Sequence, residues 1–382
     1  MSTQTLKIGH LFSWIVLCFS IVVTSAAAIE TPAKQAILMD MSTGAILMQK
    51  NADELMAPAS MSKLMTVAMV FERLKDGTLK LEDTLPVSEK AWKKGGSKMF
   101  VRVDTRVAVE DLLRGVIVQS GNDACIVLAE GLSGSEDAFA IVMTDRAREL
   151  GLEQSTFKNA TGWPHPEHRM TARELAMLAR YIIETFPEYY GIFNEKEFSF
   201  SDIKQGNRNP LLYKDFGADG LKTGHTEESG YGLVGSAERD GRRLIVVING
   251  LSSAKERGRE GERLLEWGFR EFGNYTLFKP GDVVDNARVW LGNQDTVPLT
   301  VEEDVTITLS RQDRKSMIVK AVYDAPIPAP ILKGTPVAQL VVDTPDGEPV
   351  TVPLVATKDI GRPGMVGRLT SAVEYLIFGP SQ

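Results

Sequence analysis

The chain has 382 residues, a formal charge of −7 and only two cysteines, with 43% hydrophobic and 24% charged residues. That length suggests two or three domains of ordinary globular composition with ample core. The acidic balance argues against a phosphate-binding, nucleic-acid role, and two cysteines cannot build a disulfide scaffold or a cysteine-rich zinc site.

The first ten residues carry Lys7 and no acid, Leu11–Val23 is an apolar run of 13, and Ala26-Ala27-Ala28 offers a small-x-small cleavage site. A bilayer span needs about 20 residues. Residues 1–28 therefore read as a secretory signal peptide cut after Ala28, with an uncleaved signal anchor as the alternative. Cleavage removes Cys18 and leaves Cys125 alone in an apolar helical stretch (Ala124, Ile126, Val127, Leu128). No intrachain disulfide can then form, and Cys125 is expected to be a buried structural thiol rather than a nucleophile.

Ala36–Asp40 and Ala45–Gln49, joined across Ser42-Thr43-Gly44, predict a β-hairpin. Ser60–Leu74 predicts a helix that Leu64, Met65, Val67, Ala68, Met69, Val70, Phe71 and Leu74 make apolar on nearly every face, the pattern of a buried helix. Residues 76–108, Gly- and Lys-rich, are expected to be loop. Helices follow at about 109–119 and 123–132, flanking the polar break Ser120-Gly121-Asn122, and at about 171–185, opened by Thr171 and stopped before Pro187. Strands are expected at Gly220–Thr226, Tyr231–Glu238 and Arg243–Asn249, the last two joined by an Asp240-Gly241 turn. Lys255–Phe272 predicts an amphipathic helix anchored by Leu264, Leu265, Trp267 and Phe269.

Strands first and last with helices between imply an α+β fold, one antiparallel sheet packed with a helical group. From Lys279-Pro280-Gly281 the character changes, and Val283–Pro353 predicts a small all-β domain. Pro363–Phe378 places Met365, Val366, Leu369, Val373, Leu376 and Ile377 on one helical face, too short to span a membrane but able to lie on one. The alternative is a helix docked on its own domain. The expected limits are 1–28 for the signal, 29–275 for a catalytic domain, 276–360 for the all-β domain and 361–382 for an amphipathic tail.

Ser-x-x-Lys occurs four times, at Ser60/Lys63, Ser155/Lys158, Ser201/Lys204 and Ser252/Lys255. Ser155 lies in a polar segment, Ser201 in a strand-like stretch where residues three apart face opposite ways, and Lys255 among solvated charges. Ser60 differs. It follows Pro58-Ala59 at the opening of the buried helix, where free N–H groups and the positive dipole end favour a developing anion. Lys63 is one turn on and shares its face. Desolvation beside an apolar helix lowers an ammonium's pKa, so the neutral amine can act as base to the serine.

Ser120-Gly121-Asn122 is the only Ser-x-Asn, and its isolated reading is a helix N-cap. Its hydroxyl can also relay a proton to a leaving amine and its amide hold a substrate carbonyl. Lys222-Thr223-Gly224, followed by His225, is also unique; a strand carrying a cation, a hydroxyl and a residue without a side chain can lie against an extended peptide and bind its carboxylate. The plain alternative is an edge strand blunted by a lysine.

These three elements in this order resemble the low-molecular-mass penicillin-binding proteins, the serine D-Ala-D-Ala carboxypeptidases of bacterial cell walls. The likeness extends to Leu113-Arg114-Gly115 through Cys125, Lys222 through Thr226, and Leu265 through Phe269, and covers nearly all of the mature chain. The resemblance implies an acyl-enzyme on Ser60 with Lys63 as proton acceptor, Ser120 and Asn122 as a second wall, and Lys222, Thr223, Gly224 and His225 as a third. It implies an oxyanion hole from the backbone N–H groups of Ser60 and His225, with Arg208 and Arg257 near the pocket for the substrate carboxylate. It further implies a peptidoglycan stem pentapeptide as substrate, β-lactams as covalent inhibitors, no cofactor, no metal, and a periplasmic enzyme held peripherally on the outer face of the cytoplasmic membrane. Family tails are often basic, whereas 363–378 is neutral.

Four other readings bear on these residues. A class A β-lactamase needs a deacylating glutamate in a Glu-x-x-Leu-Asn context, which Glu153–Gly162 lacks. A DD-endopeptidase acting on cross-links uses the same chemistry, and a β-lactam-binding sensor would keep Ser60 with little turnover. A metallopeptidase is disfavoured because Pro164 and Pro166 break any helix around His165 and His168, a pair expected to sit in a solvated loop.

Overall fold

The computed structural model describes residues 29–344 and 349–364. Met1–Glu30 is a unit of its own, of which only Ile29 and Glu30 are described, so the architecture below concerns the unit from Thr31 onward. The expected signal peptide and the apolar face of the expected tail helix lie outside the described residues.

Five antiparallel strands form the main sheet: β1 (Gln35–Asp40), β2 (Ile46–Lys50), β3 (Ala218–Thr226), β4 (Gly230–Arg239) and β5 (Arg242–Leu251), in the order β2-β1-β5-β4-β3. The Asp240-Gly241 turn takes φ +51° and +76°, the paired left-handed geometry that suits a tight hairpin between β4 and β5. All six residues of β1 are buried. Its partner β5 stands more than 200 positions away, with Leu38 opposite Val246. The strand bearing Lys222-Thr223-Gly224 is thus an edge strand, its free edge available to an extended ligand.

Helix α1 (Lys63–Lys75) runs through the middle of the helical group, and Glu72, Arg73 and Lys75 are its only residues that are not buried. Around it lie α2 (Val109–Ile117), α3 (Asn122–Ser133), α4 (Glu136–Glu149), α5 (Ala172–Thr185) and α6 (Ala254–Glu271). Thr171 Oγ1 accepts the Glu174 N–H at 3.1 Å to open α5, as its sequence implies. Helix α6 is capped by Ser253, whose Oγ accepts the Glu256 N–H, while Glu256 reaches back to the Ser252 N–H at 2.9 Å.

Two expectations change. Residues 76–108 are not all loop: Thr84–Pro86 pairs antiparallel with Arg106–Ala108, and Glu89–Lys93 is a short helix capped by Ser88. Three-residue strands are too short to show an alternating pattern. Helix α4 was not anticipated; Gly134 at φ +77° ends α3, Ser135 caps the new helix by accepting the Ala138 N–H, and Phe139, Ala140, Met143 and Ala147 form its buried stripe.

Helix α6 runs directly into Phe272–Phe278, which pairs with Val305–Ser310. A six-stranded sheet follows, in spatial order Ile318–Val322, Pro336–Asp343, Val350–Ala356, Thr296–Thr300, Asp285–Trp290 and Ile327–Pro328. Its core (Val297, Leu299, Leu340, Val342, Leu354) is separate from that of the sheet-and-helix body. Among the described residues no helix is long and apolar enough to cross a membrane.

Candidate active site

Ser60 sits on a 3₁₀ turn, Ala59–Ser62, that leads straight into α1. It is partly exposed, whereas Lys63 has no exposed surface. The one-turn spacing brings the two together: Lys63 Nζ donates to Ser60 Oγ at 2.7 Å, to Asn122 Oδ1 at 2.9 Å and to the Thr161 carbonyl at 2.5 Å. Burial lowers the Lys63 pKa from 10.5 to about 8, with Cys125 and Asp123 opposing and Arg208 and Lys94 adding to the fall. Cys125 is fully buried on α3, and burial pushes its thiol up to about 12, so it is no nucleophile.

The second wall is the turn between α2 and α3. Ser120 adopts φ +61°, a strained conformation for a residue with a Cβ, and its buried hydroxyl has no hydrogen-bond partner among the described residues. Asn122 opens α3 and is oriented at both ends of its amide: Oδ1 accepts from Lys63 and Nδ2 donates to Gly95 O at 2.9 Å. Asp123 has no exposed surface, and its carboxylate accepts the N–H groups of Met99, Phe100, Val101 and Ala124 at 2.9–3.2 Å. It pins the 95–101 loop over the site.

The third wall is β3. A Cβ on Gly224 would lie 2.9 Å from Pro58 O and 3.3 Å from Ala59 Cβ, so only glycine lets the strand approach the Ser60 turn this closely. Thr223 is buried beside it, and exposed His225 stacks on Tyr231 with ring centroids 3.9 Å apart. Lys222 is 2% exposed, its one hydrogen bond among the described residues a long 3.3 Å contact to Thr223 O. Burial, reinforced by Lys63, Arg208 and Arg257, holds its pKa well below the usual value. Arg257, lowered to about 10 mainly by burial, donates to Arg208 O, lies over the Tyr231 ring, and keeps a buried, unpartnered Nε. Arg208 Nη1 reaches Ser97 Oγ on the loop opposite. Among the described residues none of these four cations is in an ion pair. Buried Lys222 and Arg257 with exposed Arg208, none of them paired to a carboxylate among the described residues, suit a small anion such as a carboxylate.

Residues 22–252 match the family model of the D-alanyl-D-alanine carboxypeptidases, and residues 272–362 that of the penicillin-binding protein 5 C-terminal domain. The chain belongs to the D-alanyl-D-alanine carboxypeptidase family. It is a serine peptidase that acts on D-Ala-D-Ala termini. The carboxypeptidase is 39% identical to D-alanyl-D-alanine carboxypeptidase DacC of Escherichia coli K12, over 89% of this chain and 88% of that one. Penicillin-binding protein 5 of Haemophilus influenzae superposes with a TM-score of 0.78 at 36% identity, covering 88% of this chain and 100% of the other. Penicillin-binding protein D2 of Listeria monocytogenes, solved in its ampicillin-bound form, gives 0.57 at 30% identity over 62% and 97%.

All ten residues expected at the site lie on these three walls and the 208/257 corner of the carboxypeptidase. The other serines fall elsewhere: Ser155 Oγ is buried on Glu174 Oε2 at 2.6 Å, Ser201 turns a hairpin at φ +51°, and Ser252 Oγ bonds Glu256. Sequence reasoning missed Thr161, Gly162 and Asp123. Gly162, at φ +72°, lies so close to Ala59 that no side chain fits. His168 is a correction: it is buried rather than solvated, edge-on to Phe157, with its pKa lowered to about 4 by burial. His165 is exposed, as expected.

Proposed function

We propose that the enzyme removes the terminal D-Ala from peptidoglycan stem pentapeptides by two-step acyl transfer through Ser60. The observation that carries this reading is the 2.7 Å bond between Ser60 Oγ and a lysine with no exposed surface. As an ammonium, Lys63 donates three hydrogen bonds to three acceptors. As the neutral amine it keeps two N–H groups for Asn122 and Thr161 and turns its lone pair on the serine hydroxyl, whose proton it takes as Oγ attacks the penultimate D-Ala carbonyl. The backbone N–H groups of Ser60 and His225 receive the oxyanion, a role supported by the close approach at Gly224.

Ser120, its hydroxyl uncommitted, passes the proton to the departing D-Ala nitrogen. Asn122 holds a substrate carbonyl, and Lys222, Thr223, Arg208 and Arg257 bind the terminal carboxylate. Water then releases the shortened peptide. β-Lactams acylate the same serine, a reading supported by the ampicillin-bound Listeria relative.

The proposed domain limits of 29–275 and 276–360 put the divide inside Phe272–Phe278, the strand that leaves α6 and packs Tyr275, Leu277 and Phe278 on the second core. Residues 1–28 act as the export signal, the enzyme works in the periplasm, and residues 361–382 hold it peripherally on the membrane. The test is to label the protein with a reporter penicillin and map the adduct while following D-Ala release from a pentapeptide and a cross-linked muropeptide. Labelling at Ser60, lost in Ser60→Ala, with D-Ala freed from the pentapeptide, is expected. An adduct on Ser155, Ser201 or Ser252 overturns the site, and cleavage of the cross-link alone overturns the substrate.

A further inference from the structure

Trp290 is 49% exposed, Leu291 38% and Leu332 66%. They are not scattered. The Ala329 N–H donates to Trp290 O at 2.9 Å, Ile331 bridges Ile360, the Asn293 N–H donates to Gly361 O at 2.8 Å, and Arg362 Nε donates to Ala329 O. The segments 290–293, 329–333 and 358–362 therefore share one end of the β-domain, the end from which the chain continues into residues 365–382. Leu291 is held there at φ +53°, an unfavourable conformation for a bulky residue and one that keeps an apolar side chain in solvent.

Exposed Lys333, Lys358 and Arg362 surround the cluster, none of them in an ion pair among the described residues. Of the acids nearby, Asp359 accepts the Lys333 backbone N–H at 2.7 Å and Asp295 is exposed. Exposed Trp and Leu ringed by Lys and Arg is the composition of a lipid interface: the rings and aliphatic chains enter the acyl boundary while the cations stay among the phosphates.

We propose that this end of the β-domain is itself a membrane-contact surface, inserting Trp290, Leu291 and Leu332 and presenting Lys333, Lys358 and Arg362 to anionic headgroups. The inference rests on the peripheral-membrane reading above and extends it. The 363–378 segment is neutral in sequence, so its apolar residues bring no electrostatic attraction to anionic lipid; the folded domain supplies that attraction.

The test uses the full chain, sedimented with vesicles of phosphatidylglycerol and phosphatidylethanolamine. Trp290→Ser/Leu332→Ser should weaken partitioning about tenfold or more through lost apolar insertion. Lys333→Gln/Lys358→Gln should weaken it about 25-fold in low salt and less in high salt, each lysine being worth roughly a factor of five near an anionic surface. Ile318→Ser, on the opposite edge of the same sheet and 62% exposed, should bind as wild type. Unchanged D-Ala release in solution verifies that each variant is folded.

A Leu369→Asp/Leu376→Asp variant separates the two readings. If it releases the protein while Trp290→Ser/Leu332→Ser binds as wild type, this surface is overturned and the tail reading stands. If the unmodified protein does not sediment with the vesicles, both fall. An equal loss in Ile318→Ser also overturns the surface, because the effect is then general to apolar exposure.

Discussion

Gly162→Ala isolates how the Ser60–Lys63 pair is held. A Cβ at Gly162 would lie 1.9 Å from the Ala59 oxygen, 2.5 Å from its carbonyl carbon and 2.8 Å from Ser62 Oγ. The obstacle is backbone, so the two segments must part by more than about 1 Å to reach van der Waals distance. One of them leads into Ser60, and the other carries the Thr161 carbonyl that holds Lys63. A misplacement of about 1 Å in a reacting pair costs on the order of a hundredfold in rate. The substitution also forces alanine to φ +72°, which costs about 1 kcal/mol by itself.

Gly241→Ala measures that second effect alone, since Gly241 has φ +76° and nothing within 4 Å of a Cβ. It should lower the melting temperature by about 2–4 °C and leave acylation untouched. Gly162→Ala should lose about 1–3 kcal/mol more through overpacking and acylate about a hundredfold more slowly. Stopped-flow acylation by a reporter β-lactam, run beside thermal unfolding, reads both. Wild-type acylation in Gly162→Ala would refute the idea that this approach positions the pair.

The acylation rate should fall about tenfold per pH unit below 8, because the proton taken up there converts the Lys63 amine to ammonium, and should level off above it. A rate independent of pH on the acid side would remove Lys63 as the base. Lys222→Gln should raise KM about 10- to 100-fold for a peptide ending in a free carboxylate, the value of a charge-assisted hydrogen bond, while a C-terminal amide shows no such change. Equal effects on acid and amide would show that Lys222 does not read the carboxylate. Asp123→Ala leaves the N–H groups of Met99, Phe100 and Val101 without an acceptor, at about 1–3 kcal/mol for each that water cannot reach. Asp123→Asn should be milder, and a melting temperature indifferent to both would mean that the loop is held by other contacts.

Much of the site was legible because its signals are local. The Ser60–Lys63 spacing is one turn, so local geometry puts both side chains on one face, within reach of the 2.7 Å contact between Lys63 Nζ and the hydroxyl. Asp240-Gly241 specified its hairpin through the backbone that glycine and aspartate tolerate. Thr171, followed by glutamate three positions on, opened its helix as such residues do. Other contributions leave no residue signature. The Thr161 carbonyl that holds Lys63 could belong to any amino acid, and Asp123 looks like an ordinary first-turn acid until its four backbone donors are seen. Helix α4 escaped notice because its apolar residues do not keep to one face: Ala138–Met143 is a continuous run in which Ile141 and Val142 are exposed while Phe139, Ala140 and Met143 are buried.

By itself, then, the sequence determined most of the elements, though not helix α4 or those within 76–108, and the order Ser-x-x-Lys, Ser-x-Asn, Lys-Thr-Gly, because periodicity, capping and turn chemistry are interactions between near neighbours. Only the tertiary structure decided that β1 pairs with β5, that Gly162 meets Ala59, and that buried Lys63, Lys222 and Arg257 converge with exposed Arg208. Desolvation and charge repulsion depend on which distant segments exclude water from one another. The pKa of about 8 that makes Lys63 a base near neutral pH is a property of that enclosure and not of any stretch of residues.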